Sequence, residues 1–165
     1  MQKLALPLNV IGFQLCWIAC VVGGNSWAVP VCAAFFVWHW QVLKPGEPML
    51  LTAFALTGVL FDTALYKAGL LSFPGHDAWF IPLWLMLLWL AFACTLRHSL
   101  DWLLRKPWLA ALLGLTAAPW SYYAGDLLGA VDAAPAALIM IGIGWAMLMF
   151  SMARLRPITV TAEES

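Results

Sequence analysis

Few side chains in this 165-residue sequence can do chemistry: eight Asp and Glu, eight Lys and Arg, three His and four Cys. Asp62 is the most telling of them. It sits inside the apolar run from Met49 to Tyr66, where an ionisable group is costly and so is a functional candidate by default. Gly58 lies one turn before it and Tyr66 one turn after, so a carboxylate looking into a helix bundle beside a phenol is expected. One reading makes Asp62 a proton acceptor or substrate ligand; the other makes it an Asp held neutral, or one bonded to Tyr66 and a neighbouring helix. Tyr122 is its candidate catalytic companion. It follows Pro119, which removes one backbone hydrogen bond and frees a carbonyl one turn earlier. His76, Asp77, Asp126 and Asp132 show no metal-ligand spacing, and no metal centre is assigned.

A second set falls at the opposite ends of the apolar runs. His39 stands between Trp38 and Trp40, Glu47 lies in a proline-flanked loop, and His98 precedes Ser99. His39, Glu47 and His98 are expected on one membrane face, a weaker alternative site, while Asn9 and Gln14 sit in the same half of the first run. Leu88, Phe92, Thr95, Ser99 and Trp102 step by three and four along one helix face. Trp17, Trp84, Trp89, Ser99, His39 and Glu47 are therefore the substrate-binding candidates. The aromatic stripe reads either as core packing or as a groove for an acyl or isoprenoid chain.

The composition says what must position these residues. Apolar residues make up 64% of the chain and charged residues 10%, which is too little charge to cover a water-soluble surface and too much apolar content for disorder. The formal net charge of +0 offers no basic face for nucleic acid. An all-α polytopic membrane bundle is expected. Six apolar runs qualify as spans: Leu4–Val22, Trp27–Leu43, Met49–Tyr66, Ala78–Leu96, Trp108–Gly125 and Ala133–Ala153. Together they form a single domain over 1–156, followed by a polar, unstructured tail over 157–165. Gly23-Gly24-Asn25-Ser26 reads as a turn. Asp77 and Asp132 read as N-caps of the fourth and sixth helices, and 97–106 as a helix extension or a short amphipathic piece.

With the N-terminus inside, seven of the eight basic residues fall on the cytoplasmic side and only Lys67 on the other, so both termini are expected in the cytoplasm. No signal-cleavage site follows the first run. Cys16, Cys20, Cys32 and Cys94 all lie in apolar runs and read as buried free thiols. Of the 11 tryptophans, Trp27, Trp38, Trp40, Trp79, Trp102 and Trp108 fall at span ends, where aromatic belts belong. Trp17, Trp84, Trp89, Trp120 and Trp145 fall within spans and are expected to line the interior. Residues 58–71 and 114–127 echo one another at a constant offset of 56, with identities at Gly58/Gly114, Tyr66/Tyr122 and Gly69/Gly125.

Two longer patterns carry a resemblance. They are Pro82-x-Trp84-x-x-x-Leu88-Trp89-x-x-Phe92-x-x-Thr95-Leu96-x-x-Ser99-Leu100-x-Trp102-Leu103, and Gly114 through Pro119-x-Ser121-Tyr122-x-Ala124-Gly125-x-x-Leu128-Gly129-Ala130. With Phe13-Gln14-x-x-Trp17, Glu47 and Gly58-x-x-x-Asp62, the chain resembles a family of small bacterial inner-membrane proteins catalogued as a domain of unknown function. The resemblance implies the topology and picks out Asp62, Trp84, Trp89, Ser99 and Tyr122, but it brings no residue roles.

Three functions fit these residues: binding or modification of a lipid within the bundle, small-solute or proton-coupled transport, and an accessory role for another membrane enzyme. The last would use a small-residue stripe on the final helix, Gly142-Ile-Gly144 with Ala137, Met140 and Ala146. Membrane lipids are the expected partners. No nucleophile elbow, phosphate loop or dinucleotide fingerprint is present, so the sequence selects neither a reaction nor a cofactor.

Overall fold

The computed structural model describes residues 2–161 and is all-helical apart from one two-stranded ladder. α1 (Gln2–Trp40) is two arms joined at Gly24, whose φ of 53° and ψ of −149° leave the helical region. Glycine reaches that conformation without a Cβ penalty, so the expected four-residue turn contracts to one residue. The arms fold back on each other. Gly12 faces the Phe35 ring, and the Cys20 and Cys32 sulfurs are 3.8 Å apart. All four cysteines are buried and free, as expected.

α2 (Glu47–Lys67) starts after Gly46, which has a φ of 71°, with Pro48 in its first turn. α5 (Pro107–Leu127) starts on its own proline. Both helices span 21 residues and end alike. Leu70 N–H donates to Leu65 O at 3.0 Å, and Ala130 N–H donates to Gly125 O at 2.9 Å. Left-handed Gly69 and Gly129 close the two ends, the glycine-capped pattern of helix C-termini. The short strands β1 (Leu71–Ser72) and β2 (Asp132–Ala133) then pair antiparallel.

The structural correspondence therefore runs Gly69 to Gly129, and Asp62–Tyr122 and Ser72–Asp132 are each hydrogen-bonded at a separation of 60. The offset of 56 in the sequence aligns shared helix-end residues and misses this register. Asp132 belongs to β2 and accepts from the Ser72 hydroxyl at 3.0 Å, so it does not cap α6 (Pro135–Thr161).

The expected fourth span is the element most changed. α3 covers only Leu83–Ala93, its N-cap is Pro82 rather than Asp77, and residues 94–100 are turns leading into α4 (Asp101–Leu104). Asn25, beside the α1 kink, accepts the Trp84 backbone N–H at 2.9 Å. It thus caps α3 from another helix. α4 buries Leu103 and Leu104 and exposes Trp102, so it is the short amphipathic piece, and the stripe expected to run from Leu88 to Trp102 breaks where the α3 ladder stops. α6 continues to Thr161 where an unstructured tail was expected; residues 162–165 lie outside the described residues.

Phe54, Trp89, Phe92 and Trp145 join α2, α3 and α6 into one aromatic core. Trp89 and Trp145 stack at 4.6 Å between centroids, and Phe92 meets Trp145 edge-on at 4.8 Å. Glycines allow the close approaches. A Cβ at Gly114 would meet the Trp145 backbone. One at Gly142 would stand 2.8 Å from the Leu115 carbonyl, the carbonyl that Pro119 leaves without its helical donor. The small residues of α6 are thus used internally: Ala137 and Gly142 are buried, and Gly144 faces Phe61. Large apolar side chains such as Leu56, Leu60, Ile139 and Met147 are exposed instead. Three segments, Ala5–Trp40, Glu47–Lys67 and Pro135–Leu155, are long and apolar enough to cross a membrane.

Candidate functional site

Asp62 is fully buried, and one of its oxygens ties three helices together. Oδ2 accepts the Trp89 indole N–H from α3 at 2.6 Å and the Tyr122 hydroxyl from α5 at 2.5 Å. Oδ1 has no hydrogen-bond partner among the described residues. Gly58, one turn earlier on α2, leaves the space that the Trp89 ring fills. The sequence places Asp62 in the interior beside a phenol, and both features are present. The phenol is Tyr122, however; the Tyr66 hydroxyl donates instead to the His76 carbonyl at 3.2 Å. The two hydrogen bonds to one buried oxygen fix the rings as much as the carboxyl group.

Trp89 and Tyr122 also line a cavity of about 470 Å³, whereas Asp62 lies behind that wall. α1 packs on α3, and α5 packs on α6; the cavity occupies the gap between these pairs. Its deep walls include Phe92, Gly114, Trp145 and Met149. Exposed Gln14 from α1 and exposed Leu113, Ala117 and Trp120 from α5 form its flank, so it opens between those two helices. The Trp17 indole N–H donates to the Ser121 hydroxyl at 2.9 Å across this opening. The walls are apolar apart from a few polar atoms of Gln14, Ser121, Tyr122 and the indoles, the usual make-up of a small-molecule pocket.

The five within-span tryptophans divide. Trp84, Trp89 and Trp145 are buried, Trp17 is half-buried, and Trp120 is exposed at the cavity flank rather than interior. Trp84 packs edge-on against Phe73 at 6.0 Å. The Trp145 indole nitrogen is buried with no hydrogen-bond partner among the described residues.

Ser99 lies outside the cavity wall. Its hydroxyl donates to Asn9 Oδ1 at 2.6 Å, and the Asn9 amide donates to the Cys94 carbonyl at 3.0 Å. This clamp holds the start of α1 to the turns after α3, whose backbone is otherwise irregular. Asn9 is fully buried, so the pair satisfies polar groups that would be costly alone.

At the same end, His39, Glu47 and His98 do converge. Glu47 Oε1 stands 3.4 Å from His39 Nε2 and 3.1 Å from His98 Nε2, and the imidazole rings are 4.8 Å apart edge to face. The loop around them is stitched by Arg97, which donates to the Pro45 carbonyl, and by Lys44 Nζ, which donates to the Arg97 carbonyl. Among the described residues this is the one grouping of metal-ligand type. The carboxylates at the opposite end form no such grouping among the described residues: Asp132 pairs with Ser72, and His76 bonds the Phe80 carbonyl at 2.7 Å.

Cavity, buried carboxylate and exposed apolar faces together define an all-helical protein of membrane type with an aromatic pocket. The chain belongs to the family described as "Protein of unknown function (DUF2878)", which matches residues 6–151. No curated protein and no solved structure matches it.

Proposed function

We propose that this is a multi-pass protein of the bacterial inner membrane that takes a lipid acyl chain into the cavity between α1 and α5. The supporting observation is the cavity itself, about 470 Å³ with aromatic and aliphatic walls and a flank made of exposed residues. In the proposed orientation the chain crosses six times with both termini in the cytoplasm, which places Lys44, Arg97, Arg105 and Lys106 at the inner surface and opens the flank to the bilayer. An acyl chain enters laterally and exchanges one apolar surround for another. Selectivity then comes from shape and from the few polar atoms inside.

Asp62 acts in this account as a positioning residue. It fixes the Trp89 and Tyr122 rings from behind, and a ligand meets Tyr122, Ser121, Gln14 and Trp17. The test is the lipid content of the intact protein in detergent, measured by native mass spectrometry. About one lipid per chain is expected to survive washing, and Ala117→Trp at the exposed flank is expected to remove it. A wild-type protein free of lipid, or a variant that retains it equally, overturns the proposal.

A further inference from the structure

The His39–Glu47–His98 grouping lies apart from the acyl cavity and has a separate chemistry. Three segments deliver it: the end of α1, the first turn of α2 set by Gly46 and Pro48, and the turns after α3. Glu47 is fully buried, and the His39 and His98 side chains are 3% and 7% exposed. One carboxylate oxygen is occupied, since Oε2 accepts the Lys44 backbone N–H at 2.8 Å and lies 3.2 Å from His98 Nε2. The other faces only the two imidazoles. Among the described residues, neither Oε1 nor either ring nitrogen of His39 makes a contact of hydrogen-bond geometry, although all three atoms are buried and Oε1 stands within ion-pair distance of both Nε2 atoms.

Buried polar atoms that face one another without good hydrogen-bond geometry are costly, and an ion between them would satisfy all of them. Their spacing says what fits. Ligands held at about 2.0–2.1 Å in a tetrahedral shell stand about 3.3–3.4 Å from one another. Oε1 is 3.4 Å and 3.1 Å from the two imidazole nitrogens, close to that spacing; all three ligand atoms lie within 4.8 Å of one another, and the imidazoles close to within about 4.1 Å when an ion binds between them. We infer that His39, Glu47 and His98 bind a divalent transition-metal ion, zinc by preference, where α1, α2 and the turns after α3 meet.

Two imidazoles and a carboxylate are a donor set for zinc or ferrous iron, whereas magnesium and calcium select oxygen shells. The ion offsets the buried charge of Glu47. Lys44 N–H, bonded to Oε2, turns Oε1 toward the ion, as outer hydrogen bonds do in metal sites. Three protein ligands leave a fourth position for water or another small ligand.

The experiment uses the full chain in detergent, stripped with a chelator, dialysed against zinc and assayed by elemental analysis and zinc-edge X-ray absorption. About one zinc per chain is expected, with a shell of nitrogen and oxygen that includes two imidazoles. Glu47→Gln and His98→Gln are each expected to weaken binding by at least about tenfold. Where a variant fails to fold, the wild-type absorption spectrum decides. Less than about one tenth of a zinc per chain, against the full site expected, shows that the three residues form only a hydrogen-bonded knot and overturns the inference. So does a sulfur-containing shell, or undiminished binding in the folded double variant His39→Gln/His98→Gln.

Discussion

A single oxygen of Asp62 holds two rings from two other helices. Asp62→Ala strands a buried indole N–H and a phenol O–H, each costing about 1–3 kcal/mol, so the thermal midpoint in detergent should fall clearly. Asp62→Asn keeps an acceptor oxygen and should fall less; equal losses would mean that the acceptor is not what matters. Gly58→Ala places a methyl into the Trp89 ring and should cost about 1–3 kcal/mol by overpacking, with an altered tryptophan emission. An unchanged midpoint there would contradict the packing of α2 against α3. That Asp62 is buried with partners is legible in the sequence, because a carboxyl group in an apolar run must find them. The identity of the phenol is not. Tyr66 is the local choice by helical spacing, while Tyr122 is brought in by tertiary packing that no helical period encodes.

Elements were legible where punctuation is local and obscure where a cap comes from elsewhere. Proline and glycine mark both ends of α2 and the end of α5, and their boundaries fall close to expectation. α3 begins six residues after Asp77, at Leu83. Its cap is Asn25, reached across space, and nothing near residue 83 announces it. Asn25→Ala should therefore destabilise the protein by about 1 kcal/mol and raise amide exchange at the start of α3 rather than in α1. Protection lost only around residue 25 would contradict the cross-helix cap. The glycines of α6 look like a partner-facing stripe in sequence, yet Gly142 is taken up by α5 because Pro119 exposes a carbonyl that only a close backbone approach can cover.

At the scale of the molecule, the composition alone requires exposed apolar faces, and the structure has them. The ends carrying Lys44 and Arg97, and His39, Glu47 and His98, come together as the charge pattern suggests. A reporter active only in the cytoplasm, fused after Ser165, should be active in the proposed six-span orientation; an expressed but inactive fusion would overturn it. The cavity was the least legible feature, because it arises from a gap between helix pairs and not from any motif. Trp17, Trp89 and Tyr122 stand out in the sequence by their types, and only their assembly shows a common wall. Membranes containing a lipid with a photoactivatable acyl chain offer the most direct test of that wall. After illumination, mass spectrometry should find adducts on Phe92, Trp145 and Met149 as well as on outer residues such as Leu56, and Ala117→Trp should suppress the inner set alone. Adducts confined to the outer residues would contradict the acyl-binding account.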